Sequence, residues 1–97
     1  MNQKLTILCS DDLVETVSRT LNQKILEGYL HIPSAVGVKP GEHIGIDRTL
    51  SFPASVFLLT ASSDLISSVL EELQGFANQC RVKPCLKMIV QEVLQVL

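Results

Sequence analysis

The fold is decided by two similar stretches of sequence, LTILCSDD at residues 5–12 and VFLLTASSD at residues 56–64. Each begins with a short apolar run that is typical of a buried strand. Each ends in serine and aspartate, which cap helices and favour the positive end of the helix dipole. Each stretch therefore predicts a strand that leads directly into a helix, and the chain contains two such halves.

Apolar residues recur after both stretches at the three- and four-residue spacing of an amphipathic helix. One stripe spans residues 13–25 and the other spans residues 66–77. The stripes predict helices over about residues 11–27 and 64–79. Gly28 follows the first helix at the point where a left-handed cap is expected.

The remaining strands are predicted between and after the helices, near residues 29–38 and from Pro84 onward. Pro33 lacks an N–H group, so the second strand should be irregular or lie at an edge. Alternation places the His31 side chain on the face away from the helices. The order βαββαβ predicts one α+β domain over residues 1–97, with a ferredoxin-like four-stranded antiparallel sheet and two helices on one face.

The composition excludes several functions. The 97 residues carry 8 basic and 10 acidic side chains, and this balance lacks the basic face that bulk nucleic-acid binding requires. No apolar run reaches the roughly 18 residues of a membrane span and no signal peptide is recognisable, which predicts a cytoplasmic protein with no direct membrane insertion. A mean hydropathy of +0.32 is high for a small domain with one uncovered sheet face, so we expect an obligate oligomer.

The three cysteines are Cys9, Cys80 and Cys85. An odd number without a secretion signal predicts reduced thiols. The four residues between Cys80 and Cys85 fit neither a zinc knuckle nor a CxxC redox pair. Buried or half-buried structural thiols are therefore predicted, and a metal or redox role stays open.

The most informative segment for function is residues 37–53, where three glycines and two prolines predict a long loop between the second and third strands. Long loops in compact domains are usually functional. Glycines permit close backbone approach, and consecutive N–H groups can cradle an anion. A plain hairpin with solvated charges is the alternative. The predicted ligand-binding residues are Gly37, Lys39, Gly41, Arg48, Arg81 and Lys83.

A metal site is a second hypothesis for the same loop. His43 stands beside Glu42 and four residues before Asp47, and all three side chains can bind a borderline cation. His31 and the cysteines are further candidate ligands. No serine has a histidine base nearby and no carboxylates are suitably paired, so the sequence predicts no catalytic residues and no enzyme, and no motif identifies a cofactor.

The chain resembles the PII superfamily, the trimeric nitrogen-regulatory proteins and their PII-like relatives. The resemblance lies in the βαββαβ order, in residues 37–41 (GVKPG), which resemble the start of the family's T-loop, and in residues 45–54, which resemble a shortened T-loop return. It implies a homotrimer with clefts between subunits that bind a nucleotide or another small anion. It also implies that residues 37–53 act on a membrane transporter or an enzyme.

Two departures from the family pattern bear on the ligand. Val38 and Lys39 stand where signalling members have a basic residue and a glutamine that help hold nucleotide and 2-oxoglutarate. Residues 80–85 replace the family's glycine-rich phosphate loop. The CutA ion-tolerance proteins share the fold and are the nearest alternative, which implies a metal-tolerance or efflux-associated function. A ligand-free assembly or adaptor module is the third reading.

Overall fold

A computed structural model describes residues 2–40, 49–77 and 85–96 of the chain. The helices and strands follow the predicted order. They are strand β1 (Asn2–Ser10), a 3₁₀ turn (Asp11–Leu13), helix α1 (Val14–Lys24), strands β2 (Leu30–Pro40) and β3 (Thr49–Ser62), helix α2 (Ser63–Gln74) and strand β4 (Leu86–Glu92).

The four strands form one antiparallel sheet in the order β2-β3-β1-β4. The first strand of each strand–helix half lies in the centre, and the two later strands lie at the edges. Two helices accompany this sheet, so the α+β, ferredoxin-like fold predicted from the sequence is confirmed.

The core lies between the helices and one face of the two central strands. Leu5 and Ile7 of β1 pair with Leu59 and Phe57 of β3, and all four side chains are buried. The helices complete the core with every third or fourth residue, as their amphipathic stripes predict. These buried helix residues are Val17, Leu21, Ile66, Val69 and Leu73.

The two helix starts differ in how they are capped. Ser62 accepts a hydrogen bond from the Leu65 amide at 3.4 Å, as its sequence predicts. Ser10 makes no such side-chain bond, and a 3₁₀ turn over Asp11–Leu13 precedes α1. Both helices end earlier than predicted, α1 at Lys24 and α2 at Gln74. Gly28 has the expected positive φ of 99°.

Strands β2 and β3 reach far into the segment that the sequence predicts as a loop. Their pairing continues to Pro40 opposite Thr49, while β1 ends opposite Ala54. Residues 36–40 and 49–53 therefore form a two-stranded ribbon that extends beyond the rest of the sheet. The predicted loop is shorter than its proposed bounds 37–53, because its two ends are strand.

The face of the sheet opposite the helices, here called the open face, carries apolar side chains from all four strands. Leu30 and Ile32 of β2 are 57% and 43% exposed, and Ile89 of β4 is 39% exposed. Leu8 of β1 lies between them with Val56 and Leu58 of β3. In the described part of the chain, no helix is long and apolar enough to cross a membrane.

Candidate functional site

A pocket of about 250 Å³ lies at the base of the ribbon, where β1 ends and β4 begins. Its wall is formed largely by side chains of the open face. The residues used below are Leu8, Ser10, Ala35, Phe52, Val56 and Lys87. We call this the ribbon-base pocket.

A bulge in β2 determines which β2 residues reach this pocket. Leu30 and Ile32 pair with Leu58 and Val56, whereas Ala35 pairs with Ala54, so β2 contains one extra residue between Ile32 and Ala35. Such a bulge moves every later side chain to the opposite face. Pro33 has no N–H group, so the bulge costs no hydrogen bond from its backbone nitrogen. Ser34 has a positive φ of 63°. The irregularity predicted at Pro33 is therefore confirmed.

The pocket is closed at one corner by a backbone hydrogen bond. The amide of Ser10 donates to the carbonyl oxygen of Cys85 at 2.9 Å. Cys9 is then paired with Leu86, the first residue of β4. This bond fixes the start of β4 against the end of β1, and therefore fixes the position of Lys87.

Gly37 lies in the ribbon directly opposite Phe52. A Cβ atom at position 37 would overlap the Phe52 ring. The sequence predicts that Gly37 permits close approach of a ligand, and the structure gives this glycine a second role. Gly37 leaves the space in which the Phe52 ring packs across the ribbon, and both residues line the pocket.

Lys87 lines the pocket and is not among the residues predicted from the sequence. It pairs with Leu8, which pairs on its other side with Val56, so an ammonium group stands at the edge of an apolar wall. Lys87 could have been found from the sequence. It lies two residues before Ile89, so the two side chains share one face of the strand, and it is the charged residue at the start of an otherwise apolar run.

Most of the predicted ligand-binding residues lie outside the described residues. These are Gly41, Arg48, Arg81 and Lys83. The backbone of Lys39 lies in the ribbon, opposite Leu50. Only Gly37 of the predicted set is thus located at the pocket, and the roles of the others remain predictions.

The predicted metal ligands Glu42, His43 and Asp47 also lie outside the described residues. Within residues 2–40, 49–77 and 85–96, no three His, Cys, Asp or Glu side chains are grouped as a metal site requires.

The prediction for His31 is wrong. His31 pairs with Phe57, and the two rings stack with centroids 4.3 Å apart at 5°. Phe57 belongs to the core, so His31 lies on the helix side of the sheet. The error arose because Leu30 and Ile32 belong to an apolar open face, and alternation does not say which of two apolar faces the helices cover. The Nε2 atom of His31 is buried without a hydrogen-bond partner.

The cysteine prediction is partly wrong. Cys9 is a free buried thiol, and burial, followed by the charge of Asp11, raises its pKa to about 11. Cys85 is also buried, but it is disulfide-bonded rather than reduced. Sequence spacing cannot decide this, because a disulfide depends on the distance and direction of two Cβ atoms. Both cysteines line the ribbon-base pocket.

A second groove, of about 510 Å³, lies at the opposite end of the sheet beside the end of α1. Leu26, Leu65 and Val96 give it an apolar lining. Its lysine, Lys24, is already engaged, since Nζ donates to Ser68 Oγ at 2.7 Å and lies 3.4 Å from the Glu72 carboxylate. The smaller ribbon-base pocket is therefore the better candidate for an anion.

No protein-family model and no curated protein matches this sequence. Solved structures match it well in fold. The PII-like protein CPII from Thiomonas intermedia K12, solved with ADP, AMP and bicarbonate, is 16% identical with a TM-score of 0.70, over 95% of this chain and 89% of CPII. GlnK from B. subtilis, solved with ATP, is 12% identical with a TM-score of 0.73, over 95% of this chain and 81% of GlnK.

CutA proteins match to the same degree. CutA from Xylella fastidiosa is 18% identical with a TM-score of 0.71, over 99% of this chain and 86% of CutA. The chain therefore has the ferredoxin-like fold shared by PII-like and CutA proteins. At these identities the likeness concerns the fold, and the two kinds of protein are matched equally well.

Proposed function

We propose that this chain is a cytoplasmic PII-like regulatory protein whose ribbon-base pocket binds a small anionic effector. The observation that carries the proposal is Lys87, an ammonium group beside the apolar Leu8 and Val56 at the base of the ribbon. The effector would act through residues 37–53, the segment that the sequence predicts as a loop, on a membrane transporter or an enzyme.

The chemistry of the pocket suits a phosphate, carboxylate or bicarbonate group. A hydrogen bond from a charged donor is about twice as strong as a neutral one, and an apolar wall weakens the competition from water. The pocket volume of about 250 Å³ matches one anionic group or part of a nucleotide better than a whole nucleotide. A neighbouring subunit would enclose the rest.

Further positive charge would come from the predicted residues Lys39, Arg48, Arg81 and Lys83. Lys39 belongs to the ribbon, and Arg81 and Lys83 precede β4, whose Lys87 lines the pocket. Support for an anion also comes from the matched proteins of similar fold, which were solved with ADP, AMP, bicarbonate or ATP.

We expect a homotrimer, because the open face leaves Leu30, Ile32 and Ile89 in water in a single subunit. Burying such side chains stabilises an assembly by about 25 cal/mol per Å² of apolar surface. Light scattering after size exclusion should give about three times the 10.7 kDa of one chain. A monomer at micromolar concentration would contradict this part of the proposal.

Calorimetry against ADP, AMP, ATP and bicarbonate tests the ligand. Lys87→Gln should weaken binding roughly tenfold or more, since a charged hydrogen bond contributes about 1.5–3 kcal/mol. The matched control is Lys4→Gln, which removes the same charge from β1, four residues from Leu8 on the same open face. Equal losses in both variants, or no binding to intact trimers, would refute the anion site and favour an adaptor module.

The CutA likeness supports a metal-binding function as the second candidate. Its proposed ligands are Glu42, His43 and Asp47. Elemental analysis and thermal shift with copper, zinc and nickel test it. His43→Ala should abolish binding, and retention of metal by this variant would exclude the proposed ligand set.

A further inference from the structure

A single positive charge faces a lining that is otherwise almost entirely apolar in the ribbon-base pocket. Lys87 is the one charged side chain among the described residues that line it. Ser10 and Ser55 also line the pocket, and both are buried. The main apolar side chains are those of Leu8, Phe52 and Val56.

The lysine and the apolar side chains lie in one row across the sheet. Leu8 pairs with Lys87 on one side and with Val56 on the other. Adjacent strands lie about 4.8 Å apart, and directly paired side chains share a face. Val56 is therefore about 10 Å from Lys87. A ligand whose head group pairs with the ammonium group has its body against the carbon atoms of Leu8 and Val56.

The charges around the pocket favour a ligand with one negative charge over a ligand with several. Burial, followed by the negative charge of Asp11, raises the pKa of the pocket residue Cys9 to about 11. Asp11 therefore acts on the end of β1 and opposes a second negative charge there. A charge placed against Leu8 or Val56 would lose its water without gaining a partner, and such desolvation is costly.

The volume of the pocket limits the length of the ligand. The pocket encloses about 250 Å³, which is roughly eight times the ~30 Å³ that a water molecule occupies in the liquid. A methylene group or an oxygen atom occupies a similar volume, so the pocket holds about eight non-hydrogen atoms. A six-carbon monocarboxylate has this size.

We propose that the ribbon-base pocket binds an aliphatic monocarboxylate of about six carbons, with its carboxylate on Lys87 and its chain along Leu8 and Val56. The inference rests on the function proposed above and names the chemical class of the effector. The carboxylate accepts a charge-assisted hydrogen bond from the lysine, while the chain and the wall remove apolar surface from water. Charge and apolar area thus contribute through different atoms and can be tested separately.

Calorimetry of the unmodified protein with acetate, butyrate, hexanoate and octanoate tests the inference. Each methylene group buried against the wall should tighten binding about fourfold, so hexanoate should bind up to roughly 200-fold more tightly than acetate. Octanoate should gain little more, because the pocket is already full. Adipate adds a second carboxylate to the six-carbon chain, and hexanamide lacks the charge. Each should bind at least roughly tenfold more weakly than hexanoate.

Two substitutions separate the charge from the wall. Lys87→Gln should weaken binding of every carboxylate by the same factor, roughly tenfold, and should leave the gain per methylene group unchanged. Val56→Thr keeps the shape of the side chain but makes it polar, so it should lower the gain per methylene group to about twofold and weaken hexanoate more than acetate. Val90→Thr is the matched control, because Val90 is 39% exposed on β4 and does not line the pocket.

The results distinguish this inference from the proposed function. If bicarbonate or ADP binds but affinity does not rise from acetate to hexanoate, or if adipate binds as tightly as hexanoate, the inference is overturned and the anion site stands. Binding of none of these anions would overturn both. Equal effects of Val56→Thr and Val90→Thr would overturn the placement of the chain along Val56. Val56 belongs to the open face, so light scattering and circular dichroism check the assembly and fold of this variant.

Discussion

Replacing Gly37 by alanine tests the geometry of the ribbon. A Cβ atom at this position would overlap the Phe52 ring, so the ring must turn away from its place across the ribbon. We expect the free energy of unfolding to fall by about 1–2 kcal/mol, the usual cost of overpacking when a side chain can move. The displaced ring also changes the wall of the ribbon-base pocket, so anion affinity should fall as well.

Gly37→Ala should raise the free energy of unfolding, rather than lower it, in a protein that lacks the Phe52 ring. In a Phe52→Ala background, Gly37→Ala meets no ring, and replacing glycine in a strand then restricts the unfolded chain. The coupling energy of the double-mutant cycle is the difference between these two effects, and should therefore be about 1.5–3 kcal/mol. Urea unfolding measures the coupling energy. All variants are compared at one protein concentration, because the stability of the proposed trimer would depend on concentration.

Gly75→Ala is the matched control for this prediction. Gly75 has an ordinary helical φ of −62°, and a Cβ atom there would meet only the Glu72 carbonyl oxygen at 3.6 Å. This variant should be neutral or stabilised by up to about 1 kcal/mol. If Gly37→Ala destabilises the protein equally with and without the Phe52 ring, then the ring does not explain the glycine and the reasoning is refuted.

Three further substitutions report on the core and the helices. Lys24→Met removes the contacts to Ser68 and Glu72 that join the helices, and should cost about 0.5–1 kcal/mol in urea unfolding because both charged groups are partly exposed. His31→Phe keeps the stacked ring and removes a buried nitrogen without a partner, so it should raise the thermal midpoint by stabilising the protein by about 1 kcal/mol. Cys9 has a pKa of about 11 against an ordinary 9.0, so its contribution to stability is complete below pH 9 and is lost as pH rises to 11. Cys9→Ala should accordingly lose less stability than the wild type between pH 9 and 11, and equal losses would refute the assignment.

The strand–helix halves were predictable because their signals are local. Caps, apolar stripes and short β-branched runs act over one helical turn or one strand, and β1, β3 and both helices lie where these signals predict them. The helix ends were less predictable. Ser10 makes no side-chain cap hydrogen bond, and a 3₁₀ turn over Asp11–Leu13 comes between it and α1.

The pocket was not predictable to the same degree, because it depends on register between distant residues. The sequence predicted Gly37 but not Lys87, which reaches the pocket only because β4 pairs with β1. It assigned residues 37–53 to a loop, whereas interstrand pairing extends both strands into it. The face of His31 was predicted wrongly for the same reason. Its side chain lies on the helix side of the sheet because His31 pairs with Phe57.

The sequence by itself determined the order of the elements, the class of the fold and the high share of apolar residues. The tertiary structure alone decided which face each β2 residue occupies, which lysine stands at the pocket, and that Cys85 is bonded while Cys9 is free. The physical reason is that helices and strands respond to neighbours a few residues away. Bulges, pairings and disulfides join residues that are far apart in sequence, and only the folded chain brings these residues together.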